Sequence, residues 1–234
     1  MINDTLDIAA ARARLQREAR VQVADYLQPV AAERLRHCLA HEVPWTLALR
    51  DGDGPRTIPH GDYAAMPADA QVELLRRVAE SARGGEYRFA YDSYMMVSAY
   101  KEGRDPDLLL HRVLEFFNTP EYIGFVRELT GDAGIHRVNA QATRYRPGHF
   151  LRYHTDVDSS EGRRYAYVLN LSRDWQPDWG GLLQFVADDG GIVDTFLPRW
   201  NSLSLFRVPA GHVVSQVAPW ADVDRLAITG WLLS

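Results

Sequence analysis

The sequence predicts an α+β fold: a double-stranded β-helix (jelly roll) in the C-terminal half, packed against N-terminal helices and short added strands. Three observations predict it. From Ile135 onward the chain breaks into eight short β-type runs parted by turns, with no helical period between them. Before that point, apolar residues recur at helical spacing in several segments. The chain's 234 residues, 46% hydrophobic and 24% charged, are enough to bury one large core without covalent staples. The expected organisation is one domain over 1–234, with 1–134 a mainly helical support region and 135–234 the β core.

In chain order, residues 5–20 alternate Ala, Leu and Arg in a helical manner, and VQVADYL follows as a short strand closed by Pro29. AAERLRHCLAHE places Leu35, Cys38 and Leu39 on one helical face. RDGDGPRTIPHGD, residues 50–62, reads as loop throughout. AQVELLRRVAES is a helix, YRFAYDSYMMVSAY an aromatic strand, and DLLLHRVLEFFN and PEYIGFVRELTG two further helices, the second stopped by Gly131. The eight strands are then HRVNAQATRY, FLRYHTD, YAYVLNLS, GLLQFVA, GIVDTFL, NSLSLFRV, HVVSQV and RLAITGWLL.

Charge and cysteine usage exclude several classes of function. The net charge of -5 is spread along the chain, so no basic stripe invites nucleic acid or an anionic membrane. Cys38 is the single cysteine, which rules out an intrachain disulfide and a thiolate metal site and predicts a cytoplasmic, reducing setting. No stretch approaches the roughly 18 apolar residues of a spanning helix.

The chemistry concentrates in YRPGHFLRYHTDVD, Tyr145–Asp158. Strand residues two apart share a face, so His154 and Asp156 converge on one point. A His-x-Asp pair alone is weak, since about one is expected by chance here. His60 and Asp62 form such a pair, in a Pro/Gly segment that aims neither side chain, and they read as a solvated turn. His212, in AGHVVSQV at the start of a late strand, offers a third ligand. Two His and one carboxylate leave coordination positions open, the arrangement suited to non-haem Fe(II) chemistry with O2. Arg225 follows thirteen residues later, and its planar fork of donors suits a carboxylate held bidentately. Strand parity puts Thr229 on the same face as Arg225.

From about Arg137 to Leu233 the chain resembles the prolyl 4-hydroxylase-like branch of the Fe(II)/2-oxoglutarate-dependent oxygenases, through Y-x-x-G-x-F-L-x-x-H-x-D, D-W-x(4)-G-G-x-L, G-H-x-V and R-x-A-I-T-x-W. The resemblance implies that His154, Asp156 and His212 bind Fe(II), and that Arg225 holds the distal carboxylate of the cosubstrate 2-oxoglutarate. It further implies that Tyr145, nine residues before the first His, contacts that cosubstrate, and that Asn170 stands where many relatives carry a second tyrosine. Asp156 is the carboxylate that halogenating relatives lack, so hydroxylation is expected, with succinate and CO2 released and L-ascorbic acid as an auxiliary. The expected substrate is a prolyl residue in a protein or peptide. A free amino acid or other small metabolite, and a non-catalytic jelly-roll binding module, are the alternatives. On the substrate side, TDVDSSEGRR reads as a loop beside the metal, with Arg163 and Arg164 at its end. Tyr91 and Tyr94 are candidate pocket walls. Gly180 and Gly181, with Trp175 and Trp179 nearby, read as structural.

Overall fold

The computed structural model describes residues 1–158 and 160–234. Helix α1 (Ile8–Glu18) leads to β1 (Arg20–Val23) and α2 (Pro29–His41), then to the hairpin β2 (Thr46–Asp51) and β3 (Gly54–Pro59). Next come α3 (His60–Ala65), α4 (Ala68–Ser81), β4 (Phe89–Tyr94), α5 (Met96–Glu102), α6 (Leu109–Phe117) and α7 (Pro120–Thr130). The remaining strands are β5 (Arg137–Val138), β6 (Gln141–Tyr145), β7 (Phe150–His154), β8 (Arg163–Asn170) and β9 (Leu183–Val186), followed by β10 (Ile192–Phe196), β11 (Ser202–Arg207), β12 (His212–Val214) and β13 (Arg225–Leu233). No helix among the described residues is long and apolar enough to cross a membrane.

The helices begin and end where local chemistry directs. Asp7 caps α1 by accepting the Ala10 N–H at 2.9 Å. Thr119 caps α7, Pro120 fills its first turn, and Gly131 ends it in the left-handed region. Pro29 opens α2, where a missing N–H costs nothing, and Leu35, Cys38 and Leu39 are buried as their spacing predicts.

The strands form one antiparallel network in the order β1-β11-β8-β13-β6-β4-β7-β12-β9-β10, with β2 and β3 continuing from β4 and β5 added to β13. It curls into a nearly closed, barrel-like jelly roll. Side chains alternate across it: Leu203, Leu205, Ile228 and Leu169 pack outward with Leu39, Leu110 and Phe117 of the helices. The opposite set, among them Val168, Phe206 and Trp231, points into the barrel. A second outer cluster joins Leu47, Leu49, Leu74 and Phe150 under α4.

Three segments differ from the sequence expectation. Residues 50–62, expected as loop, contain the end of β2, all of β3 and the start of α3. Strand β3 is an edge that pairs with β2, so its Pro55 and Pro59 and its polar residues suit it. The aromatic strand stops at Tyr94 and gives way to α5. The run HRVNAQATRY divides at Asn139, whose Oδ1 accepts the Trp231 N–H at 2.8 Å and whose carbonyl accepts the Tyr167 hydroxyl at 2.9 Å. Gly180 is structural, as its turn demands: its φ is +67° and a Cβ there would lie 1.9 Å from the Gln216 carbonyl.

Candidate iron and cosubstrate site

His154 and His212 form a cross-strand pair between β7 and β12. The register between these strands slips by one residue, with His212 opposite His154 but Val214 opposite Leu151. The extra residue on β7 is a β-bulge, and it turns both Leu151 and His154 into the barrel, which regular alternation forbids. Asp156 lies beyond the strand end with φ at +61°, so a left-handed residue rather than strand parity brings its carboxylate back.

The His154 Nδ1–H donates to the Arg152 carbonyl at 3.0 Å, and the His212 Nδ1–H to the Ala210 carbonyl at 2.8 Å. A carbonyl only accepts, so both Nε2 atoms are left with lone pairs aimed at the site. They lie 3.4 Å from Asp156 Oδ1 and Oδ2 respectively, and the three donor groups fall within 4.8 Å of one another. Burial, reinforced by His154, lowers the His212 pKa to about 4. Burial alone would raise the Asp156 carboxyl, but the neighbouring His154 and His212 hold it below its usual value. At neutral pH the set therefore offers a neutral imidazole at His212 and a carboxylate at Asp156, the states a metal requires. Two nitrogens and one oxygen without thiolate suit Fe(II) with open positions.

The same cavity is lined by Arg225, Tyr145 and Thr229. Arg225 is 3% exposed and stands 4.9 Å from the Tyr145 ring centre. Among the described residues no carboxylate lies within ion-pair distance of it, and its buried Nε has no partner. A buried, unpaired guanidinium facing a cavity is costly unless an anion completes it. The residues present thus fit both a metal and a carboxylate-bearing ligand.

Asn170 is not part of this lining. It shares the inward face of β8, but its amide nitrogen is 3.3 Å from the Ser202 and Ser204 hydroxyls, beyond the cavity's end. Val168, one step nearer on the same face, meets the cavity instead. Tyr91 also lines it, stacked on Tyr145 at 5.2 Å, whereas Tyr94 points away and donates to Asp105 at 2.9 Å. Arg163 lies flat on Trp231 at 3.6 Å and bonds Glu161 at 2.8 Å, while Arg164 bonds Asp132 at 2.5 Å. His60 and Asp62 occupy the first turn of α3, Asp62 exposed and His60 beside Tyr63. Trp175 and Trp179 pack edge to face. Sequence reasoning missed Gln141, Thr143 and Tyr87, which also line the cavity, as does Trp231 on the strand face that parity assigns to Arg225 and Thr229. The parity of QATRY with Tyr145 would have found the first two.

Residues 140–233 match the model of the 2OG-Fe(II) oxygenase superfamily. The chain is 32% identical over 139 residues to prolyl 3,4-dihydroxylase OGFOD1 of Ostreococcus tauri, covering 54% of this chain and 26% of that protein. It is 41% identical over 81 residues to prolyl 3-hydroxylase OGFOD1 of Xenopus laevis, covering 32% and 16%. The matches thus span about a quarter or less of the length of these relatives. In fold it is similar to a Pseudomonas putida prolyl-4-hydroxylase, with a TM-score of 0.54 at 20% identity over 97% of this chain and 98% of that one. Residues 140–233 thus resemble a 2OG-Fe(II) oxygenase, and the His154, Asp156 and His212 set that could hold a metal ion lies within that matched segment.

Proposed function

We propose that this protein hydroxylates a C–H bond of a prolyl residue in a protein or peptide, with conversion of 2-oxoglutarate to succinate and CO2. The observation that carries the cosubstrate reading is Arg225, buried in the triad's cavity without a carboxylate of its own. The Nε2 atoms of His154 and His212 and the carboxylate of Asp156 hold Fe(II), which supplies the oxidising chemistry with 2-oxoglutarate and O2. Arg225 binds the distal carboxylate, Thr229 adds a hydroxyl donor to it, and Tyr145 packs beside the guanidinium and fixes its direction. Asn170 has no role in this reading, because it does not line the cavity and its amide nitrogen is engaged with Ser202 and Ser204.

The names of the relatives support a prolyl substrate, and the cavity supports it too. Tyr87, 38% exposed, lies 5.4 Å from the His154 ring and lines the cavity, an aromatic surface against which a proline ring can pack. The pairing of β1 and β4 with strands of the C-terminal half supports reading 1–234 as one functional unit. A lone, buried, free Cys38 supports a reducing, cytoplasmic setting, and the likeness to prolyl hydroxylases supports ascorbate as auxiliary reductant.

The test is incubation of the Fe(II)-loaded protein with 2-oxoglutarate, O2 and a library of proline-containing peptides, read by mass spectrometry and succinate release. Gain of one oxygen on proline, coupled to succinate, is expected. Coupled oxidation of a free metabolite with no peptide turned over would replace the substrate assignment.

A further inference from the structure

We infer that Asp92, outside the cavity, is a positioning residue for the Tyr145–Arg225 pair that holds the cosubstrate's distal carboxylate. The inference rests on the reading of Arg225 above. It starts from three pairs of neighbours in sequence. Tyr91, Tyr145 and Arg225 face the cavity, and beside them in the chain stand Asp92, Arg144 and Asp224. Register places these pairs on adjacent strands: Asp92 opposite Arg144, and Arg225 opposite Tyr145. Along the inner face the contacts run from Tyr91 to Tyr145, stacked with an interplanar angle of 13°, and on to Arg225. Along the outer face they run from Asp92 to Arg144 at 2.8 Å and on to Asp224 at 3.8 Å.

The outer chain grips Tyr145 from both sides. Asp92 is wholly buried, and its Oδ2 accepts the Nε–H of Arg144 and the Nε–H of Arg146, each at 2.8 Å. Arg146 Nη2 adds a contact to Oδ1 at 3.3 Å. One carboxylate therefore fixes the residues immediately before and after Tyr145. The guanidinia are seated in turn, Arg144 over Trp45 at 5.1 Å and Arg146 over Tyr63 at 5.3 Å. The Arg146 N–H donates to His149 Nδ1 at 3.2 Å, closing the turn that ends β6.

Removing the carboxylate leaves two largely buried guanidinia facing one another without an anion between them, and such an arrangement relaxes by moving. The backbone that moves is the one that carries Tyr145. Because Tyr145 covers Arg225, the direction of the cosubstrate clamp moves with it. A carboxylate that only braces the sheet would affect stability; one that aims Tyr145 must also affect 2-oxoglutarate binding.

The experiment is an anaerobic titration of 2-oxoglutarate into Fe(II)-loaded protein, followed by the metal-to-ligand charge-transfer band, with iron affinity and thermal midpoint measured separately. Asp92→Asn is expected to weaken 2-oxoglutarate binding by about tenfold or more, the size seen when a group orienting a ligand-binding residue is lost. Its iron affinity should stay near wild type. Tyr145→Leu should also weaken binding, and the double variant should be little worse than the weaker single one, since both act through one ring. Wild-type 2-oxoglutarate affinity in Asp92→Asn overturns the inference even if the variant melts earlier, as do effects of the two substitutions that simply multiply. If Asp92→Asn does not fold, Arg146→Gln, at a side chain 24% exposed, decides the matter on the same readouts. Binding by wild type that is lost in Arg225→Ala shows that the underlying reading stands, so a negative Asp92 result then counts against the inference alone. Absence of binding by wild type would remove both.

Discussion

His154 and His212 face each other across the β7–β12 ladder with ring centres 4.0 Å apart, each tethered through Nδ1 to a carbonyl two residues back in its own chain. The tethers fix which nitrogen is free, so the pair is preorganised for a metal. His154→Ala, His212→Ala and Asp156→Ala should each lose stoichiometric Fe(II) while keeping a wild-type circular dichroism spectrum. Asp156→Glu should retain little activity, because a longer arm misplaces the carboxylate. His60→Ala should bind iron as wild type does. Iron retained without His154, or lost without His60, would refute the ligand set.

Arg225→Ala should raise the 2-oxoglutarate requirement steeply and leave iron affinity unchanged. A desolvated charge-assisted pair is worth about 2 to 5 kcal/mol, or roughly thirtyfold to several thousandfold in affinity. Arg225→Lys should recover part of this, since one ammonium cannot reproduce the fork. Thr229→Val should show a smaller loss, about 0.5 to 1.5 kcal/mol. Unaltered 2-oxoglutarate binding in Arg225→Ala would sink the cosubstrate assignment.

The protein should lose stability on the acid side of neutrality. His149 is wholly buried, and burial lowers its pKa to about 4, against about 6.5 when unfolded. Its folded value is the lower one, so its contribution is complete above about pH 6.5 and is lost as pH falls towards 4. The shift corresponds to roughly 3 kcal/mol at most. Burial alone would raise Asp92, but His149, Arg146 and Arg144 hold it below its usual value, so it adds a loss of the same sign as pH falls through its folded pKa. Thermal midpoints measured from pH 7 to 4 should fall, and His149→Gln should flatten the fall between 6.5 and 4. An equally steep fall in that variant would assign the acid sensitivity elsewhere.

Gly230→Ala should destabilise the barrel. A Cβ at Gly230 would lie 2.1 Å from the Asn139 carbonyl, and backbone cannot give way as a side chain can. Displacing Asn139 would also strain its bonds to Trp231 and Tyr167. Overpacking of this kind costs about 1 to 3 kcal/mol, a drop of several degrees in a melting curve. A wild-type melting temperature would contradict it.

The jelly roll was legible because its strands are short, alternating and free of helices, and the triad was legible because its residue types are chemically specific. The route by which the ligands converge was not. Parity places His154 and Asp156 together, yet a bulge and a left-handed residue do the aiming, and both depend on the partner strand. Val168 and Asn170 share a face, so sequence could not tell that Ser202 and Ser204 occupy Asn170 and leave Val168 to the cavity. Residues 50–62 looked like loop because an exposed edge strand tolerates the prolines and polar residues that mark turns. The Asp92 cluster was hidden for a related reason: nothing local in YDSY announces that it lies against TRYR.

Strand β1 is hydrogen-bonded to β11, and β4 lies between β6 and β7, so two staves of the barrel come from upstream of the segment that the superfamily model recognises. A fragment cut at residue 135 would keep His154, Asp156, His212 and Arg225, yet it would bare the flank of β11 and split the wall between β6 and β7. Open strand edges pair with whatever edge they meet, including those of other copies. The shortest stretch that carries the chemistry is thus shorter than the shortest stretch that can stay dispersed. Transplanting this centre into another scaffold would require bringing Arg20–Val23 and Phe89–Tyr94 with it.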